Sequence, residues 1–391
     1  MQNATCIPSC YVQQKPRSSE PEHHQHLTSD THMHRLDEET STRLSILRFP
    51  LIVGVVFIHN ADLAVRFSSG SLGGTGVDGV AEFFRNLISL GFARTAVPVF
   101  FLISGYLFFL GVEWTKKSYL AKLKSRVRTL LIPFLIWNIA TLAVYATVQA
   151  LPATRHYLSG GSAEISSYGV YGYFNAIFGI DRMPISYQFW FIRDLMVLGL
   201  LTPFVHFLIV KIPVITLSCL GASWFFGVWP VPVPSSEAAL FFATGTAFAI
   251  QEQSLFRFDR HSTLIYLTYL VALSLDMLLM GTFWGAYVHR FGVLFGVLSI
   301  LCVTRAIVRV RSVSQSLLAL SSASFFVFAA HEPALTIVKK LAFQLIHPNA
   351  VAALLALYLL IPLILVYLLV VVYMHCSRWF PGLTSVIAGG R

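Results

Sequence analysis

Residues 47–63 read LRFPLIVGVVFIHNADL, and no ionisable side chain stands between Arg48 and His59. An apolar stretch of this kind, near 18 residues with few charges, has the length and character of a membrane-spanning helix. The spacing predicts a first span over 46–65. The rest of the chain repeats the pattern: of 391 residues 56% are hydrophobic and only 12% charged, about half the charged share of a soluble domain. That surplus of apolar surface must face lipid. Further spans are predicted over 92–111, 129–150, 187–210, 212–229, 237–251, 263–282, 285–308, 317–346 and 350–374. A segment at 78–91 is expected to lie at the interface before the second span. The fold class is therefore all-α, a polytopic integral membrane helical bundle of about ten transmembrane helices.

Outside these spans the chain changes character. Residues 1–42 are rich in Ser, Thr, Pro and Gln, carry His23, His24, His26, His32 and His34, and are expected to form a disordered cytoplasmic tail. The transmembrane domain is expected over 43–376, and a short cytoplasmic tail over 377–391. The five cysteines show no metal-binding or disulfide spacing, and no metal or bound cofactor is expected.

A formal net charge of +10 raises nucleic acid as a partner, but the charges sit in short loops between spans, which excludes a nucleic-acid surface. Their placement instead follows the positive-inside rule. With the N-terminus inside, the loop after the second span carries Lys116, Lys117, Lys122, Lys124, Arg126 and Arg128 on the cytoplasmic face. Arg257, Arg260, Arg305, Arg309 and Arg311 then fall on the same side. Both termini are expected to be cytoplasmic.

Ionisable groups inside spans are costly and mark functional sites by default. Arg48 and His59 are eleven positions apart, which on an α-helix is about 20° past three turns and roughly 16 Å along the axis. They point the same way. His59 suits a general base, with Arg48 anchoring an anionic group and Asp62 hydrogen-bonding the imidazole ring. The same pair also suits a snorkelling arginine and a packing histidine. Near the start of the fourth span Arg193 and Asp194 stand side by side, and Arg193 could stabilise an oxyanion or hold an anionic substrate group. Ser104 beside Gly105 offers a small surface for helix approach or a ligand, and His331–Glu332–Pro333 brings two ionisable groups into the ninth span. Asp276 has no evident partner.

Five stretches together resemble the membrane acyltransferase family 3, O-acyltransferases of bacterial cell-surface sugars. They are LRFPLIVGVVFIHN (47–60), AVPVFFLISGYLFF (96–109), RVRTLLIPFLIWN (126–138), YQFWFIRDLMVLGLLTP (187–203) and FFVFAAHEPAL (325–335). The resemblance implies acyl transfer from cytoplasmic acyl-coenzyme A, acetyl-coenzyme A being the commonest donor, to a hydroxyl of a sugar or glycolipid acceptor. It also implies residence in the bacterial cytoplasmic (inner) membrane. Arg48 and His59 match the family's Arg-x10-His pair, and Arg193 matches the arginine of its WF-x-RD stretch. One departure stands out: members often carry Arg-x-x-Arg before Leu-Ile-Pro, whereas Arg126 is followed by Arg128 and then Thr129. The expected roles are His59 as base, Arg193 and Arg48 as catalytic cations, and Arg126 and Arg128 as ligands of the donor's phosphates. Asp62, Asp194, Ser104, His331 and Glu332 contribute around them. The rival expectation is a membrane transporter or exporter of a polysaccharide or small solute.

Overall fold

A computed structural model describes residues 38–67, 70–73, 79–155 and 164–390. The predicted tail lies outside these residues except for 38–42, which are helical. Helix α1 runs from Glu38 to His59, with Glu38 and Glu39 in its first turn, where acidic groups complement the helix dipole. It ends at His59, short of the predicted 65. Asn60 donates from Nδ2 to the Tyr358 carbonyl at 2.9 Å, and Ser89 donates to the Phe57 carbonyl at 2.6 Å. The second contact meets a carbonyl at the end of α1, and the first meets one inside Val351–Trp379 that Pro362, four residues on, leaves without a donor. The chain then turns into a hairpin of β1 (Ala64–Phe67) and β2 (Gly70–Gly73).

Helix α2 (Gly79–Arg85) passes through a wider π-helical stretch, Asn86–Phe92, into α3 (Ala96–Phe109). The predicted interfacial segment and second span thus form one continuous rod. After a turn, α4 (Lys116–Arg126) starts on a reciprocal cap between Thr115 and Ser118, which satisfies two of the first free N–H groups. It leads through another π-helical stretch into α5 (Ile132–Ala150). The short α6 (Pro152–Arg155) and α7 (Val170–Phe178) precede α8 (Trp190–Lys211), α9 (Pro213–Phe226) and α10 (Ser236–Ile250). Then come α11 (Ser262–Leu279), α12 (Gly285–Arg309), α13 (Arg311–Ser321), α14 (Ser324–Ile346), α15 (Val351–Trp379) and α16 (Pro381–Ile387). The predicted C-terminal tail contains α16, tied to α5 by the Trp137 indole, which donates to the Ile387 carbonyl at 3.0 Å.

All ten predicted spans are helical, but they are not equivalent. Among the described residues seven helices are long and apolar enough to cross a membrane, and α13 with α14, bent by 65°, makes an eighth if the pair counts as one span. The other two, α9 and α10, have 14 and 15 residues, roughly 21–23 Å against a hydrocarbon core of about 30 Å. Protein covers α10 along most of its length, with Ala238–Ala243 all buried. It presses against α3 through glycine: a Cβ on Gly105 would stand 2.1 Å from the Phe242 carbonyl oxygen, and one on Gly245 2.0 Å from that of Leu102. Such close approach is how apolar helices associate where no hydrophobic drive separates them from lipid.

At the other end of α1 from His59, the guanidinium of Arg43 is clamped. It donates to both carboxylate oxygens of Asp259 at 2.6 and 2.9 Å, to Thr304 Oγ1 at 2.8 Å and to the Leu301 carbonyl at 3.1 Å. Its face lies over the Phe256 ring.

Candidate active site

A cavity of about 180 Å³ runs along α1, with both Arg48 and His59 in its wall. The same-face geometry inferred from their spacing holds, and they are the first and last residues of α1 that line it. Val55, Phe100, Phe191 and Phe328 supply apolar wall, and Arg94, Gln188 and Ser324 supply polar groups. Arg48 is half-buried and, unlike Arg43, meets no hydrogen-bond or ion-pair partner among the described residues. A half-buried cation left unpaired at the wall of an apolar cavity is suited to meet an anion.

His59 is held by rings rather than by hydrogen bonds. The Tyr187 ring meets it edge-on at 4.8 Å between centroids, and His331 lies at 5.2 Å, tilted by 31°. The predicted hydrogen bond from Asp62 does not form. Because α1 stops at His59, Asp62 lies off the helix and exposed, and its backbone carbonyl takes the Lys339 ammonium.

The neighbourhood of His59 is organised by a break in α14. Glu332 has an extended backbone (φ −113°, ψ 135°) and is followed by Pro333. Proline brings no N–H, so the Ala329 carbonyl loses its helical donor. Side chains meet this carbonyl and its neighbours. Gln188 Nε2 donates to the Ala329 and Glu332 carbonyls, each at 3.2 Å, and His331 Nδ1 donates to the Phe328 carbonyl at 2.6 Å. The two remaining atoms, Gln188 Oε1 and His331 Nε2, are buried without a partner, as is Ser324 Oγ. The Glu332 carboxylate accepts from the Tyr187 hydroxyl at 3.0 Å and from Thr336 at 2.9 Å. Tyr187 therefore links Glu332 to the ring of His59.

The other predicted residues divide. Arg193 does not line the cavity: its guanidinium donates to the Gly179 carbonyl and to Asp194 Oδ1, the latter at 3.3 Å. Asp194 is fully buried and accepts the Ser235 N–H at 2.8 Å. Together they join the loop after α7, the start of α8 and the start of α10. Arg126 turns inward, donating to Ser104 Oγ at 3.3 Å and facing the Phe108 ring at 4.7 Å, while Arg128 is exposed. Asp276 has a partner after all, His289 Nδ1 at 2.8 Å. Arg94 was not singled out in the sequence, yet it lines the same cavity as Arg48 and His59.

A spanning bundle that brings a histidine and two arginines to the wall of one largely apolar cavity has the makings of an intramembrane enzyme. The chain matches the acyltransferase 3 model, described as an acyltransferase domain, over residues 42–382 and belongs to that family. It is an acyltransferase. The chain is 25% identical over 365 residues to the succinoglycan biosynthesis protein ExoH of Rhizobium meliloti (strain 1021), covering 91% of this chain and 94% of that one. No solved structure matches the chain.

Proposed function

We propose that this protein moves an acyl group, acetyl in the simplest case, from cytoplasmic acyl-coenzyme A to a hydroxyl of a cell-surface or lipid-linked sugar. The observation that carries the reading is the pairing, on one cavity wall, of an open arginine and a histidine free of hydrogen bonds. The likeness to a succinoglycan biosynthesis protein supports a polysaccharide or its lipid-linked precursor as acceptor. Basic loops on one side support an inner-membrane orientation with both termini cytoplasmic, so the Arg48 end of the cavity opens toward the donor and the His59 end toward the acceptor.

In this reading the acceptor oxygen attacks the thioester carbon while His59 takes its proton. Arg94, beside His59, stabilises the tetrahedral oxyanion. Carbon–sulfur cleavage then releases the coenzyme A thiolate, which regains the proton. Arg126 and Arg128 meet the donor's phosphates together with Arg48. Arg193 and Asp194 act by fixing the start of α8, from which Tyr187 and Gln188 reach the cavity. Ser104 holds Arg126, and Glu332 holds Tyr187 against His59. The test is transfer of labelled acetyl from acetyl-coenzyme A to succinoglycan repeat units in proteoliposomes, with His59→Ala as the blank. Label on the sugar supports the reading. Movement of the sugar across the membrane without acylation would overturn it.

A further inference from the structure

The segment after α15, predicted as a tail, is packed into the bundle. Thr384 is 3% exposed, Ala388 is fully buried, and Ile387 packs against the main core. Helix α16 ends in a glycine motif: the Gly390 N–H donates to the Ser385 carbonyl at 2.6 Å and the Gly389 N–H to the Val386 carbonyl at 3.3 Å. Gly389 and Gly390 have φ of +75° and +73°, which lets the chain curl back and close the last turn. The curl seats Gly389 against two elements at once. A Cβ there would stand 2.7 Å from the Thr129 carbonyl oxygen and 3.7 Å from the Phe325 ring. Two residues earlier, the Ile387 carbonyl accepts from the Trp137 indole at 3.0 Å, and the Trp137 ring meets Phe326 edge-on at 5.9 Å.

Beneath this contact lies the wall of the cavity that holds Arg48 and His59. Phe325 lines it, and so does Leu130, next to Thr129. His331 meets His59, and Lys339 meets the Asp62 carbonyl, so α14 runs parallel to α1. Phe325, six residues before His331 and thus about 9 Å back along the helix, lies toward Arg48. Thr129 and Leu130 belong to the π-helical stretch Val127–Leu131, which follows Arg126 and contains Arg128. Stretches of this kind are rare and concentrate at functional sites. We propose that residues 387–390 act as a strap that holds Val127–Leu131 against the start of α14 and so fixes the Arg48 end of the cavity, with Trp137 and Gly389 as positioning residues. This rests on that cavity being the active site and on Arg126 and Arg128 meeting the donor. A loosened strap lets Leu130 and the two arginines shift, while His59, farther along α1, keeps its neighbours. Donor and transition state are then weakened alike, and such a loss of uniform binding raises KM and leaves kcat alone.

The test joins kinetics to thiol labelling on the full chain in lipid nanodiscs. Gly389→Ala adds the carbon for which the Thr129 carbonyl leaves no room, at a φ that favours glycine. Trp137→Phe removes the indole N–H and keeps a ring against Phe326. Each is expected to raise the KM for acetyl-coenzyme A roughly three- to tenfold, the value of one neutral hydrogen bond, with kcat unchanged. Gly382→Ala, on the same short helix with nothing within 4 Å of the added carbon, should behave as wild type. Wild-type KM in Gly389→Ala, or a clear fall in kcat, overturns the strap. The second readout needs no donor. With the other cysteines replaced by serine, the thiol introduced by Leu130→Cys should react faster with a soluble thiosulfonate reagent once Gly389→Ala is added, and an unchanged labelling rate overturns the strap. Where Gly389→Ala does not yield folded protein, Trp137→Phe carries both readouts. A wild-type protein that moves no label from acetyl-coenzyme A overturns the donor reading instead, and the labelling rate still decides the strap.

Discussion

The imidazole of His331 lies 5.2 Å from that of His59, and its Nδ1 hydrogen is committed to the Phe328 carbonyl 2.6 Å away. The tautomer is thereby set, leaving Nε2 as a bare acceptor beside the proposed base. His59→Ala is expected to reduce acyl transfer by roughly 10²–10⁴-fold, the range of a lost general base. His331→Ala should reduce it less, and the double variant should be no slower than His59→Ala, because the pair acts as a unit. Additive losses, measured as initial rates of label transfer, would argue for two independent sites.

Arg48 and Arg43 stand five residues apart on one helix and should behave oppositely. Arg48→Gln removes an open cation and is expected to raise the KM for acetyl-coenzyme A roughly ten- to a hundredfold, the value of a charge-assisted hydrogen bond, with little change in thermal midpoint. Arg43→Ala strands the part-buried Asp259 carboxylate, a loss of up to about 3 kcal/mol, the lower end of the range for breaking a fully buried pair. Its melting temperature in detergent should fall clearly, and Asp259→Asn added to it should restore part of the loss.

Arg94 and Arg193 give a second contrast. Arg94→Ala is expected to lower kcat by about 10²-fold or more while the protein melts normally, as when an oxyanion donor is removed. Arg193→Ala frees the Gly179 carbonyl and leaves Asp194 with only the Ser235 N–H, so its first effect should be on stability. A normal melting curve with abolished kcat in Arg193→Ala would return that arginine to the chemistry.

Gly105→Val should prevent assembly altogether. Even a single added carbon meets the Phe242 carbonyl at 2.1 Å, and backbone cannot swing aside as a long side chain can. The expected outcome is loss of the monodisperse peak in size-exclusion chromatography, whereas Ser104→Ala, one residue away, should purify as wild type.

Hydropathy alone gave the helical segments, since each is an apolar run bounded by charge. It could not give the end of α1, because Ala61, Leu63, Ala64 and Val65 continue the apolar run past His59. The helix stops there through contacts with Tyr358 and Ser89, which are distant in sequence. The shared face of Arg48 and His59 was legible because both lie on one regular helix. His331 and Gln188 were opaque for the converse reason: their roles follow from a break in α14 and from a carbonyl that a proline leaves open, relations between segments far apart. Arg94 carried a usable signal, an ionisable residue inside the predicted second span, and the rule that singled out Arg48 applies to it equally. The partnership of Asp276 with His289 needed two helices to be laid side by side.

Helix α1 is fastened at both ends, by Arg43 to Asp259 and by Asn60 to the Tyr358 carbonyl. These contacts oppose sliding or turning of the helix against the bundle, so the interval between Arg48 and His59 works as a gauge. On the proposed donor reading, a thioester held by its anionic end is measured against that gauge before it can react. Donors with a shortened or lengthened arm would bring their carbonyl to the wrong rung, and selection by reach would come before any selection by the identity of the acyl group.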